Sequence, residues 1–550
     1  MLSEESGKDW QVIIIGAGPV GLSLALALAR AGIRVAVVEK EAQIPATGQA
    51  VALHSRMLEI LASLGVGDDL RQHGQQIREI HVRSQDIELF SHQLTDVESP
   101  WPEIRDLPQQ VLVQILERAA VGAGASIWRG WQLNDYETQP HHLEVILEND
   151  GEERLIGAEY LIGCDGRNST VRELLDLALE PVGPAERLWV ADVELSQGPA
   201  DDQWQIYCHP EGGAAIFPLG DGRYRAMMQV ANDWEPPASQ YQAELQFAER
   251  VQSWIGIKQI LWNRVHDIQP AIAESFQRGR VILVGDAAHV MPAMGNQGMN
   301  LGVQDAYNLA WKLAAVLRGQ LPPILLETYE RERLPAARRT LGFTAHLSQL
   351  AGTQNLLKRS LRNWILPAIS GLHLVRQQFL EHLETAPSVP GSDFIHAETR
   401  SQRLRSLEAR RFKNGATAGD LLPDSHLLEF RRNRHVRLRE WLTPHLWALI
   451  IIVRTQADLK TATAIKELTR ASILPEWVQP ILVCGRIIPV DLRQLPCPIF
   501  SDPREKIHDR LGLPESGLVL VRPDGHIGYR QAPVTLEDWV HYLRRLQRGK

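Results

Sequence analysis

Two groups of residues in this chain have types and spacings that could do chemistry. Near the start, Gly16-Ala-Gly18-Pro-Val-Gly21 joins an apolar run, QVIII, to the helical pattern LSLALALARAG, and a second apolar run, RVAVVE, ends in Glu39. Glycine at the first position permits a tight turn. At the second it lets the backbone approach a pyrophosphate, and at the third it lets a helix pack close to a strand. A helix N-terminus directly behind offers free N–H groups and partial positive charge to phosphates. An acid about 20 residues further on can accept hydrogen bonds from ribose hydroxyls. Pro19, Val20 and Lys40 belong to this candidate site with the three glycines and Glu39. A packed βαβ turn could carry the same glycines. The strand, helix, strand and acid around them favour a nucleotide site, without distinguishing FAD from NAD. The second group, GDAAHVMPAMGNQGMN over 285–300, lies between RVILVG and LGVQDAYNLAWKLAAVL. Loops at strand ends carry function more often than packing. The helix behind it has apolar Val303, Ala306, Leu309, Leu313 and Leu317 close to helical spacing.

A third stretch, AEYLIGCDGRNSTVRE over 158–173, runs a strand pattern into Asp165-Gly166, then Ser169 and Arg172 at a helix start. Together the three motifs resemble the FAD-dependent aromatic hydroxylases, the single-component flavoprotein monooxygenases. The match is with the branch of phenol hydroxylase and 3-(3-hydroxyphenyl)propionate hydroxylase and covers nearly the whole chain. The resemblance implies an α/β fold with a Rossmann-like FAD-binding domain over 1–180 and 276–340 and an antiparallel-sheet substrate domain over 181–275. A helical segment and linker over 341–394 and a thioredoxin-like domain over 395–550 would follow. It implies that Asp286 binds the flavin ribityl chain, that Pro292 and Met294 wall the substrate side, and that Gly298, Met299 and Asn300 open the helix under the pyrimidine end. There the helix N-terminus suits anionic reduced flavin. Asp165 and Gly166 match a motif associated with FAD and reduced nicotinamide. Gln110 matches a glutamine near the flavin, with Gln109 beside it leaving the register open. Arg172 could face a phosphate or make a structural salt bridge, and His289 fits capping or packing better than catalysis.

The implied activity is NAD(P)H- and O2-dependent hydroxylation of a phenolic or electron-rich aromatic ring through a flavin C4a-hydroperoxide, with no side chain expected to carry the chemistry itself. NADPH and NADH both stay open. No second glycine fingerprint occurs, which fits transient nicotinamide binding. The alternatives are a flavin-dependent reductase or halogenase of the same fold, though no W-x-W-x-I-P stretch occurs, or a non-catalytic flavin-binding regulatory protein. Two positions depart from the family pattern: Gln49 stands where many relatives have arginine, and Asn296 replaces a glycine.

The elements that must position these groups are legible in outline. Alternation in WQIYCHPEGGAAIFPL and GRYRAMMQV predicts neighbouring antiparallel strands. Ile216, Pro218 and Met228 are candidate pocket residues there, with Ile206, Cys208 and Gln229, although parity is open. Residues 340–385 read as amphipathic helix, closing the cavity or contacting a second copy in a homodimer in preference to lying on a membrane surface. WALIIIVR and PILVCGR read as buried strands, GLVLVRPDGHIGYR as a hairpin turning at Asp524-Gly525, and TLEDWVHYLRRL as a final helix.

With 550 residues, 44% hydrophobic and 23% charged, the composition is that of a soluble globular chain. A net charge of −8 points away from nucleic acid. Cys164, Cys208, Cys484 and Cys497 form no C-x-x-C pair, so neither a disulfide framework nor a metal site is expected, and the reducing cytoplasm is the natural compartment. Cys484 and Cys497 are expected to be inert. The polar start, MLSEESGKDW, is unlike a signal peptide. Residues 12–29 have the length of a membrane span, but their glycines and proline argue against one.

Overall fold

The computed structural model describes residues 10–45, 48, 51–94, 97–234, 240–292, 297–351, 388–389, 395–400, 406–454, 459–469, 474–513 and 515–548. Two compact units result: Met1–Val97, Trp101–Ala306 and Leu334–Thr385 form one, and Glu98–Pro100, Tyr307–Arg333 and Ala386–Lys550 the other.

In the first unit the β-branched run becomes the strand Trp10–Ile15, with Val12, Ile13 and Ile14 fully buried. It pairs in parallel with Val35–Glu39 on one side and with Glu152–Gly163 on the other. Val281–Leu283 extends the parallel set beyond Glu152–Gly163, and Ser126–Arg129 beyond Val35–Glu39. Parallel strands buried on both faces need such continuous apolar runs. Being parallel and adjacent, they deliver the loops at their carboxyl ends to one edge, where open α/β sheets bind ligands. Backbone hydrogen bonds stitch those loops together: Gly16 N to Val38 O at 2.8 Å, Cys164 N to Ile15 O at 2.8 Å, and Val284 N to Gly163 O at 2.9 Å.

A second sheet in this unit runs Gly256–Ile268, Glu186–Gln197, Arg223–Val230, Ala214–Gly220, Gln203–Tyr207, Glu79–Ser84, Ile87–Gln93. The hairpins read from alternation are present. The sheet also takes in two strands from residues 79–93, a stretch that the sequence pattern assigns to the FAD-binding domain. Gln203–Tyr207 pairs with Glu79–Ser84 in parallel, across a separation that no local pattern reveals. One face packs Trp189, Tyr207, Ile216 and Met228 against Phe247 of the helix Gln240–Ala248. The other carries Leu188, Val190, Ala215, Phe217 and Met227.

The second unit centres on Trp447–Val453, parallel to Val478–Cys484 and antiparallel to Ser516–Val521, which turns into Ile527–Ala532. With the helices Leu459–Leu468 and Leu536–Arg548, this order is the thioredoxin-like pattern. The turn of that last hairpin contains Asp524 and Gly525, the glycine at φ +80°. Of the expected helical stretch over 340–385, the described part belongs to the helix Glu327–Ala351; the remainder lies outside the described residues. Among the described residues no helix is long and apolar enough to cross a membrane.

Candidate functional site

The three glycines of the first loop do three different things. Gly16 has φ +104°, and a Cβ there would lie 2.4 Å from the Cys164 carbonyl oxygen. A Cβ on Gly21 would lie 2.1 Å from the Gly16 oxygen, so that glycine lets the helix Pro19–Arg30 close onto the turn. A Cβ on Gly18 would meet nothing within 4 Å, because Gly18 faces a cavity of about 470 Å³. Gly18 also caps the helix without a side-chain bond, leaving its first N–H groups for a ligand. Pro19 and Val20 line the cavity too. The Glu39 carboxylate accepts from Ala17 N at 2.8 Å and Glu41 N at 2.9 Å, which holds it beside the loop. Lys40 is exposed and does not line the cavity.

The loops after the next two strands meet this one. Asp165 accepts from Val171 N at 3.2 Å, and burial raises its pKa against the hydrogen bonds that lower it. Its Oδ1 has no partner among the described residues. Gly166, at φ +80°, and Arg167 line the cavity. Arg172 does neither of the two things expected of it: its guanidinium donates to Ala287 O at 3.1 Å and Arg167 O at 2.8 Å, tying the second loop to the third. Asp286 lies deep in the protein, yet its side chain is open to the cavity. Burial raises its pKa, and the nearby His289 opposes that shift. His289 is fully buried with Nε2 2.6 Å from Asp305 Oδ2, which fits the packing role.

The helix Gln297–Leu317 starts at the same cavity, lined by Gln297, Gly298 and Met299. A Cβ on Gly298 would come 3.7 Å from Asp286 Oδ1. A Cβ on Gly302 would come 2.7 Å from a Val20 methyl and 3.2 Å from Gly285 Cα. Glycine at 285 and 302 therefore lets two helix N-termini converge. Asn300 is placed differently from expectation. Its side chain accepts from His54 N at 2.8 Å and donates to Ala52 O at 2.9 Å, so it braces a neighbouring strand rather than facing the cavity. Pro292 lines the cavity, whereas Met294, Asn296 and Gln49 lie outside the described residues.

Two further expectations change. Gln109, not Gln110, lines the cavity, beside Gly48. Both lie at the start of the helix Gln109–Gly122, where one residue is a rotation of about 100°, and here that rotation puts Gln109 on the cavity side. On the antiparallel sheet, Ile216 and Met228 are in the core of the opposite face, and Pro218 shares their parity, opposite Tyr224. A one-residue shift of parity moves a side chain to the other face. The cavity is walled instead by Leu188, Val190, Met227 and a strand that pattern reading passed over, through Trp262, Arg264, His266 and Ile268. Those four recur at every second residue of Gly256–Ile268, the one signal that could have found them. Arg225 anchors this wall. It grips Asp192 with Nε and Nη2 at 2.6 and 3.1 Å and donates to Gly48 O at 2.7 Å, while Trp262 Nε1 donates to Asp192 at 2.6 Å. Burial and the charges of Arg264, Arg167 and Arg225 lower the His266 pKa to about 4, so its ring is neutral near pH 7.

A flavin dinucleotide fits this set: open space at Gly18, two helix N-termini, an acid at Glu39 and a deep carboxylate at Asp286. The family pattern described as "FAD binding domain" matches residues 9–344. The chain is 28% identical over 567 residues to the 6-methylpretetramide 4-monooxygenase of Streptomyces rimosus, covering 98% of this chain and 94% of that one. It is 30% identical over 389 residues to the 3-(3-hydroxy-phenyl)propionate/3-hydroxycinnamic acid hydroxylase of Comamonas testosteroni, covering 69% and 65%. Its fold matches that of the flavin-dependent monooxygenase PieE, solved with FAD and substrate, at a TM-score of 0.78 and 20% identity, over 99% of this chain and 100% of that one. The chain belongs to the FAD binding domain family and is an FAD-dependent monooxygenase of the aromatic hydroxylase type.

Proposed function

We propose that this flavoprotein uses reduced nicotinamide and O2 to hydroxylate a phenolic or other electron-rich aromatic ring held between the glycine loops and the antiparallel sheet. The observation that carries the reading is a cavity that has Gly18, Asp286 and Gly298 on one side and Met227, Trp262 and His266 on the other. Bound flavin supplies the redox chemistry, taking hydride from the nicotinamide and activating oxygen for transfer.

The protein's part is positioning. Gly18 and the N–H groups behind it hold the pyrophosphate, Glu39 the ribose, and Asp286 a ribityl hydroxyl. Gly298 and Met299, at a helix N-terminus, favour negative charge on the reduced ring. The apolar side chains of Leu188, Val190, Met227 and Ile268 keep water from the ring, and Arg225 keeps Trp262 in place through Asp192. The relatives named above act on 6-methylpretetramide and on hydroxyphenyl-propionate or hydroxycinnamate, by their names. They support an oxygen-substituted aromatic substrate here. Work in a reducing cytoplasm is part of the same reading, supported by four cysteines without a C-x-x-C pair.

The test is a spectrum of the purified protein, followed by nicotinamide oxidation and product formation with and without phenols. The expected result is a yellow protein whose nicotinamide oxidation rises with a phenol and yields hydroxylated product. Oxidation without product for any phenol, or a colourless protein that takes up no FAD, overturns the reading. A Gly18→Leu variant is expected to fold and to purify without flavin, since its side chain enters open space in the apoprotein.

A further inference from the structure

The first unit holds a second cavity, of about 510 Å³, and Pro292 lines both. Nothing in the function proposed above uses it. Its walls have an unusual composition for a void this size. Pro184, Pro210, Pro270 and Pro292 contribute rigid pyrrolidine rings, and Trp234 an indole held by Nε1 donating to Gln246 Oε1 at 3.0 Å. Leu341 closes the floor, 2% exposed, while Val182 stands 47% exposed at the rim. One planar indole among rigid apolar rings can pack against a flat ring system at little entropic cost.

One cation lies in this apolar wall. Arg250 is 7% exposed and lines the cavity, its Nη1 fixed by the carbonyls of Gly212 and Gln229. Gly212 reaches that contact only through φ +110°, in a turn where a Cβ would meet the Gln229 oxygen at 2.7 Å. Glu186 and Glu211 also line the cavity, so the single guanidinium stands against two carboxylates and the lining is not positive. A fixed guanidinium beside carboxylates selects a neutral acceptor oxygen by hydrogen bonding more than it attracts a free anion.

We propose that this second cavity receives the non-reacting rings of a fused-ring aromatic substrate, with Arg250 as the specificity-determining donor to an oxygen on the distal ring and Pro292 as the divider between reacting and non-reacting parts. This rests on the hydroxylase reading of the first cavity. Flavin and one reacting ring would occupy that space of about 470 Å³, so further rings need the second space.

The experiment measures binding to the FAD-loaded protein by flavin fluorescence, with phenol as the one-ring probe and 1,8-dihydroxyanthraquinone as the fused-ring probe. Arg250→Gln is expected to weaken the anthraquinone by at least about tenfold, roughly the worth of one charge-assisted hydrogen bond, and to leave phenol within about twofold. Because Arg250 also braces a turn, Val182→Trp at the exposed rim provides the independent arm. It fills the cavity from outside and should exclude the anthraquinone while sparing phenol. Equal loss for both probes, or no loss for either in the Val182→Trp protein, overturns the second cavity as the ring site while leaving the hydroxylase reading standing. If neither probe binds the unaltered holoenzyme and no phenol stimulates nicotinamide oxidation, the hydroxylase reading falls first and this inference with it.

Discussion

The two units build parallel strands from the same kind of sequence and end with opposite interiors. In the first, QVIII and YLIGC become strands whose carboxyl-end loops leave open space at Gly18 and a carboxylate, Asp286, facing it. In the second, ALIII and ILVC become strands of equal burial, but the described residues beside them form a large apolar cluster. One buried polar cluster there pairs internally. Arg522 contacts both Glu332 and Asp524, Lys312 Nζ is 2.9 Å from Glu332 Oε2, and Asn308 and Trp311 donate to Asp524 at 2.9 and 3.1 Å. Cys484 and Cys497 lie in that core, their thiols pushed by burial to about 12 and about 11, far from the thiolate form that reacts. Apolar runs therefore specify a sheet. Whether the sheet's edge becomes a site depends on what the loops leave unfilled.

If the contrast is right, the two units fail in different ways when a charge is removed. Glu332→Ala should be the most damaging change, because it leaves Arg522 and Lys312 buried with one acid fewer. Breaking a buried pair costs about 3–5 kcal/mol, to be read as a lower denaturant midpoint for the second unit. The same network has a pH signature. Glu332 is held at about 2, below its ordinary 4.5, by Arg522 and Lys312, which outweigh burial. Its stabilisation is full above the unfolded value and is lost as pH falls towards 2. Burial, reinforced by Arg522, holds His396 at about 3 rather than 6.5. The unfolded chain takes up that proton first, so this part of the stability begins to fall below about pH 6.5. Acid titration of the second unit's stability should show both losses, and Glu332→Gln should remove the lower one. An unchanged acid profile in that variant would mean that the network is not what holds the unit.

Asp286→Ala should have a smaller effect and a different kind of readout. Losing one charged hydrogen bond to a ribityl hydroxyl costs about 1.5–3 kcal/mol, roughly one to two decades of FAD affinity. The apoprotein should keep or gain stability, because a carboxyl whose pKa is raised by burial is itself a cost when ionised. Equal FAD affinity in the variant and the parent would remove Asp286 from the proposed ribityl contact. The smallest effect belongs to the second unit's thiols. Cys484→Ala and Cys497→Ala together should cost a modest packing loss, about 1 kcal/mol each, and leave the hydroxylation rate and its coupling to nicotinamide unchanged. A collapse of turnover with stability retained would assign that unit a redox task and dissolve the contrast.

The sequence by itself determined the strands that flank the glycine loops, the helices behind the glycines and the three motifs, because those depend on neighbouring residues: apolar runs, a turn that only glycine fits, a cap at a helix start. It also marked Gly16, Gly18 and Gly21 by type and spacing, and Asp286 through the family resemblance. Tertiary structure alone decided where equivalent local patterns point. Gln109 rather than Gln110, and Met227 rather than Met228, face the cavity because helix phase and strand parity are set by distant packing. Asn300 braces Ala52 and His54, 248 and 246 residues away in the chain, and Arg172 grips Ala287 across 115 residues. No local window contains such partners. A hydrogen-bonding side chain takes whichever partner the fold brings within reach, and that choice is made only when the chain closes on itself.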